Sequence, residues 1–135
     1  MKTTFLAAVV FALCALGGHR TARAEDDCLE LGWLDGRGGW TYHRAWITSM
    51  DGNELHIKYA FHEGKMHLKV TEKEADDGDD VYVFKGEWRE EHGREGGKVR
   101  MVLKKGHKHA KGFYTFGGWE AKHYEIKLGD CTHVR

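Results

Sequence analysis

The chain contains no proline in 135 residues, only three cysteines, and beyond residue 24 a single serine, Ser49. Without proline, changes of chain direction fall to its 18 glycines and to Asp and Asn. Ser49 has no surrounding Gly-x-Ser-x-Gly elbow, which removes the usual way of presenting a serine nucleophile. The glycine clusters do not follow a strand and open a helix, so no phosphate-binding loop is present. No Cys-x-x-Cys or His-Glu-x-x-His spacing occurs, and no segment carries a helical apolar stripe.

Long apolar runs are also missing, with one exception. Met1 and Lys2 precede an apolar stretch from Phe5 to Leu16, and Ala22, Arg23 and Ala24 lead into the acidic Glu25, Asp26 and Asp27. This is the pattern of a secretory signal peptide, residues 1–24, cut after Ala24. The run is well short of the roughly twenty residues that cross a bilayer, so a membrane span is not expected. Residues 25–135 then form a single secreted or periplasmic domain. Cleavage removes three of the 21 basic residues, Lys2, Arg20 and Arg23, and none of the 21 acidic ones, leaving a net charge near −3. A clustered basic surplus is absent, which argues against a nucleic-acid partner.

Two cysteines remain after cleavage, Cys28 and Cys131, near the two ends of the domain. In an oxidising compartment they are expected to pair, which requires Cα atoms within about 7 Å and makes the first and last segments neighbours.

Period-two alternation dominates the rest. From Trp40 to Glu72 it predicts three antiparallel strands, with Trp40, Tyr42, Trp46, Thr48 and Met50 inward, then Leu55, Ile57, Tyr59 and Phe61, then Met66, Leu68 and Val70. The first turn is centred on Asp51 and Gly52 or on Gly52 and Asn53. The second, at Glu63 and Gly64, sets Phe61 opposite Met66 and Tyr59 opposite Leu68. Lys73 to Asp80 reads as a solvated loop, and its carboxylates lack the full pattern of an EF-hand. Val81 to Glu90 alternates again, with Gly86 marking a bulge or a close backbone approach. Glu91 to Gly97 is a polar loop; Lys98 to Lys104, Gly112 to Phe116 and Trp119 to Leu128 complete seven strands. A lead-in over Leu29, Leu31 and Trp33 would make eight. The fold class is therefore all-β: a small antiparallel meander, barrel-like, with its termini joined by a disulfide. A sandwich with adjacent termini is the alternative.

Gly-x-Trp recurs at Gly38 to Trp40, Gly86 to Trp88 and Gly117 to Trp119. The first resembles, in placement, the triplet that opens the first strand of lipocalins. The likeness covers three residues and implies a barrel.

Nine histidines follow residue 24. The predicted registers put His43, His56, His62 and His67 on the face opposite the apolar one, where His43, His62 and His67 converge. His107 and His109 form a second cluster. Zinc or copper favours such imidazole ligands. Outward histidines are also ordinary polar surface, and Lys58, Lys65, Lys69 and Lys108 between them repel a cation. Trp33, Trp88 and Trp119 lie at segment ends or beside glycine, where they line a barrel mouth for a ligand or plug it.

Three function classes remain. The first is binding of a small ligand or an extracytoplasmic protein partner, the second histidine-based binding of a divalent metal. The third, an acid/base hydrolase with paired carboxylates, has the least support.

Overall fold

A computed structural model describes residues 28–93, 95–116 and 119–134, and of residues 119–121 the backbone only. The predicted signal peptide lies outside the described residues. Eight strands, β1 (Leu29–Leu34), β2 (Trp40–Asp51), β3 (Glu54–Tyr59), β4 (Gly64–Glu74), β5 (Asp80–Glu90), β6 (Glu95–Lys104), β7 (His109–Phe116) and β8 (Trp119–Asp130), follow one another. Each pairs antiparallel with the next, and β1 pairs with β8, so the sheet is a closed up-and-down barrel. Closure leaves no unpaired strand edge. Among the described residues no helix is long and apolar enough to cross a membrane.

The closing seam runs from Leu29 opposite Asp130 to Trp33 opposite Ile126. One residue beyond its end, Cys28 and Cys131 form a disulfide with Cα atoms 5.4 Å apart, and the Cys131 N–H donates to the Cys28 carbonyl. The expected pairing of the cysteines is thus present, and it fastens the strands that closure requires.

The inward strand residues of β3 and β4, Leu55, Ile57, Tyr59, Met66, Leu68 and Val70, are those that alternation predicts. Leu55, Leu68, Phe84, Met101 and Leu128 are all fully buried. In β2 the expectation fails. Trp40, Tyr42 and Trp46 lie on the outside, with Trp46 42% exposed, and Ala45 and Ile47 face Tyr59 and Ile57 instead, whereas Met50 keeps its predicted place opposite the inward Leu55. The turn at Gly52 and Asn53 is as predicted, with Asp51 opposite Glu54. A register shift between Ile47 and Ser49, however, inserts Thr48 as an extra residue and inverts the strand before it. A bulge of one residue exchanges the two faces, because side chains alternate with period two.

The β3–β4 hairpin differs as well. Its loop is Ala60 to Glu63, with Tyr59 opposite Gly64, and His62 and Glu63 both adopt a φ of 51°. Phe61 is therefore a loop residue and not a strand partner of Met66. The shift from the predicted register is an even number of residues, so the inward set is preserved. Space dictates it: the Tyr59 ring lies over Gly64, where a Cβ would come within 2.0 Å of the ring. At Gly86 the strand shows no bulge, and a Cβ there would lie 1.9 Å from the His67 carbonyl oxygen, so close approach is the reason for the glycine. The Gly38 to Trp40 triplet opens β2, not the first strand.

Outside the barrel the C-terminal tail folds back over β1. Glu30, 2% exposed, accepts hydrogen bonds from the His133 and Val134 N–H groups and from the Thr132 hydroxyl. His133 also bonds Glu30 through Nδ1 and stacks on Tyr42, ring centroids 3.5 Å apart. Burial alone would raise the Glu30 carboxyl, yet these bonds, led by the His133 side chain, hold it down at about 2.

Two predictions follow from the seam and the tail. Replacing Cys28 and Cys131 by serine is expected to cost about 2–5 kcal/mol in urea unfolding, and an unchanged midpoint would refute a structural role. Glu30 has a lowered folded-state pKa, so its contribution is full above the ordinary glutamate range and disappears as pH falls toward about 2. Glu30→Gln should therefore cost about 1–3 kcal/mol at pH 7 and progressively less below pH 4. Unfolding measured across that range checks it; a cost independent of pH would contradict the assignment.

Candidate binding site in the barrel mouth

The end of the barrel that carries the disulfide is filled, while the opposite end opens into a cavity of about 310 Å³. Trp33, Phe61, Trp88, Tyr114 and Phe116 supply its aromatic walls, and His62, Glu90 and Glu95 its polar groups. The positions on β5 and β6 follow from alternation. In β5 the inward series Tyr82, Phe84, Gly86, Trp88 continues to Glu90, and in β6 the series Leu103, Met101, Val99, Gly97 continues back to Glu95. The two glutamates face each other across the β5–β6 hairpin.

Trp33 meets Phe61 edge-on at 5.4 Å and Tyr59 at 5.8 Å. Trp88 is fixed by a 2.8 Å hydrogen bond from its indole N–H to the Thr115 carbonyl, and it meets Tyr114 and Phe116 edge-on. These rings hold one another in place without closing the space between them.

At the rim, the Tyr59 hydroxyl donates to Glu90 Oε2 at 2.9 Å, and His62 Nδ1 stands 3.7 Å from Glu90 Oε1. A Cβ at Gly93 would lie 3.0 Å from His62 Nδ1, 3.3 Å from Glu95 Cγ and 3.7 Å from Glu90 Oε1. The three polar side chains therefore gather around Gly93, and the missing side chain keeps them open to the cavity. Burial pushes the Glu90 carboxyl up; the Tyr59 bond and His62 oppose this, and Glu95 adds to the rise. Burial likewise raises the Tyr59 phenol, with Glu90 reinforcing it. Glu95 Oε1 is buried and has no hydrogen-bond partner among the described residues. A buried acceptor left unpaired is costly, and a donor entering the cavity would satisfy it.

Comparison with known protein families, with curated proteins and with solved structures finds no match to this chain. Its chemistry therefore rests on the residues themselves.

Of the tryptophans singled out in the sequence, Trp33 and Trp88 line this cavity. Trp119 begins β8 opposite Phe116, and its side chain lies outside the described residues. The histidines do not converge as the registers predict. His43 lies inside the barrel, its ring stacked on Trp33 at 5.0 Å and against Phe61 at 4.8 Å, because the β2 bulge turns it inward. Burial lowers its pKa, a hydrogen bond with the Ala60 backbone opposes this, and His62 adds to the lowering. Its Nε2 is buried without a partner among the described residues. His62 belongs to the rim loop, and His67 projects from the outer face of β4 toward His56 and Glu54. His107 is exposed in the β6–β7 turn, and His109 bonds the Asp130 carbonyl on the neighbouring strand β8.

The Glu90 shift fixes a sign for pH dependence. A raised folded-state pKa means that stability present below about pH 4.5 is lost as pH rises through the folded pKa. Glu90→Gln removes that loss, so the stability of the variant relative to the parent should climb between about pH 4 and pH 7. Urea unfolding at a series of pH values measures it, and a constant difference would show that folding does not raise the Glu90 pKa.

Proposed function

We propose that the protein is a secreted or periplasmic binding protein that holds a small organic amine in the mouth of its barrel. The observation that carries this reading is the unpartnered, buried Glu95 Oε1 beside Glu90 at the rim of an aromatic cavity. An ammonium group donates up to three hydrogen bonds and is attracted both by carboxylates and by the faces of Trp and Phe rings. Its apolar body fits the space between Trp33 and Trp88. The volume, about 310 Å³, is at the small end of ligand pockets and suits a molecule of one or two rings.

A positive charge next to the Glu90 carboxyl would oppose the effect of burial and favour the ionised form. His62 and Tyr59 then fix the carboxylate in orientation. An acid/base hydrolase is less well supported by the same groups. Its two carboxyls need to flank a scissile bond, whereas Glu90 and Glu95 are cross-strand neighbours on one wall. The disulfide is consistent with an oxidising extracytoplasmic environment, which agrees with export by residues 1–24.

Calorimetry with phenethylamine and with 2-phenylethanol, nearly equal in shape, separates charge from fit. The amine is expected to bind at least about tenfold more tightly at pH 7, quench Trp33 and Trp88 emission, and lose affinity as pH falls and Glu90 takes up a proton. In the Glu90→Gln, Glu95→Gln double variant the preference should vanish. Equal affinity for amine and alcohol in the parent would overturn the ammonium reading, and no binding of either would overturn the mouth as a ligand site.

A further inference from the structure

The β3–β4 hairpin carries a second group of functional side chains on its outer surface, behind the wall of the mouth. His56 and His67 are directly opposite in the strand register, and Glu54 precedes His56 by two residues and so shares its face. The imidazoles stack with centroids 4.2 Å apart, and His67 Nε2 is hydrogen-bonded to Glu54 Oε1. One donor atom from each of the three lies within 4.8 Å of the others, and among the described residues this is the one such group of three.

We propose that Glu54, His56 and His67 bind a divalent transition-metal ion, copper(II) more tightly than zinc. Two imidazole nitrogens and a carboxylate oxygen form a borderline donor set that suits both ions, and intrinsic affinity rises to a maximum at copper(II). Donors around a tetrahedral ion with bonds of about 2.0–2.1 Å are about 3.4 Å apart, so an ion must part the hydrogen-bonded His67 Nε2 and Glu54 Oε1 and draw in any donor that stands at the 4.8 Å limit. The His67 and Glu54 side chains, 56% and 45% exposed, can rotate that far without moving the sheet. Cross-strand pairing has already brought the two imidazoles side by side, and this lowers the entropy lost on chelation.

The surroundings leave room for further ligands. Glu87 stands opposite His67 on β5, and a depression of about 500 Å³ beside it is lined by His56, His67, Glu87, Gly96 and Gly97. Water or a solute oxygen can complete the coordination there. Lys69, opposite Glu54, and Lys65 in the same depression reduce the local negative charge, which favours the ion with the stronger bonds to nitrogen. The site does not depend on the amine reading of the mouth, since alternate residues of one strand face opposite sides.

The test uses the tag-free, disulfide-bonded protein titrated with copper(II) and with zinc, followed by calorimetry and by copper electron paramagnetic resonance. One copper per chain with nitrogen hyperfine coupling is expected. His56→Gln and His67→Gln should each weaken binding at least about tenfold and remove a nitrogen from the spectrum, while Glu54→Gln weakens it about tenfold with the nitrogens retained. Glu90→Gln should leave it unchanged. All four single variants and the His56→Gln, His67→Gln double variant are checked for native fold by near-ultraviolet circular dichroism. Absence of copper binding, zinc held as tightly as copper, or copper binding that survives in the folded His56→Gln, His67→Gln double variant would overturn the proposal.

Discussion

Pairing of β1 with β8 is the constraint on which the rest of the structure depends. It turns an open meander into a barrel, and a barrel has an interior of limited size. With eight strands the inner side chains fill the end near the disulfide, where Leu29, Leu103 and Leu128 are almost wholly buried. At the other end the inward positions are taken by flat rings and by Glu90, Glu95 and Gly97, and a cavity results. The disulfide reinforces this arrangement at the filled end, so the open end is left without a covalent tie. The tail bonds to Glu30 on the outer face of β1 and covers the same seam.

Two buried glutamates show how surroundings set chemistry. Glu30 and Glu90 are both almost inaccessible, yet their carboxyls are displaced in opposite directions. Around Glu30 the tail offers two backbone N–H groups, a hydroxyl and an imidazole, which more than offset burial and keep the charge. Around Glu90 there is one phenol, a half-exposed histidine and a second glutamate, and burial wins. The first is a satisfied structural anion. The second is an acceptor whose charge awaits a partner, and the orphan oxygen of Glu95 beside it has the same need.

Much of the fold is legible in the sequence because alternation is clear over Leu55 to Tyr59, Met66 to Val70 and Val99 to Leu103. The same alternation, continued two residues past Trp88 and four residues back from Val99, puts Glu90 and Glu95 on the inner face. That signal was available, but acidic residues next to a polar loop read as surface when taken by composition. The β2 faces were not legible, since one inserted residue at Thr48 inverts everything before it and has no mark in composition. His43 became an interior residue for that reason alone. The β3–β4 loop was masked by a similar difficulty: Glu63 and Gly64 look like a hairpin turn, yet Gly64 is needed in the strand to make room for the Tyr59 ring. The tail contacts to Glu30 join residues more than a hundred positions apart, and no local pattern announces them.

Period-two geometry also lets one hairpin carry two unrelated chemistries. Tyr59 and Met66 point inward to the mouth, while His56 and His67, on the same two strands, point outward. The backbone between them is fully paired and is packed against β5, with Gly86 drawn so close to His67 that no side chain would fit. Such a wall is thin but stiff. A change on its outer surface alters charge and coordination there without opening the cavity, and a change in the mouth repacks rings without moving the imidazoles. The long-range electrostatic effect that remains is weakened by solvent over the exposed outer face. Small closed barrels thus gain functional surface from the same alternation that builds their core, provided that the strands stay in register.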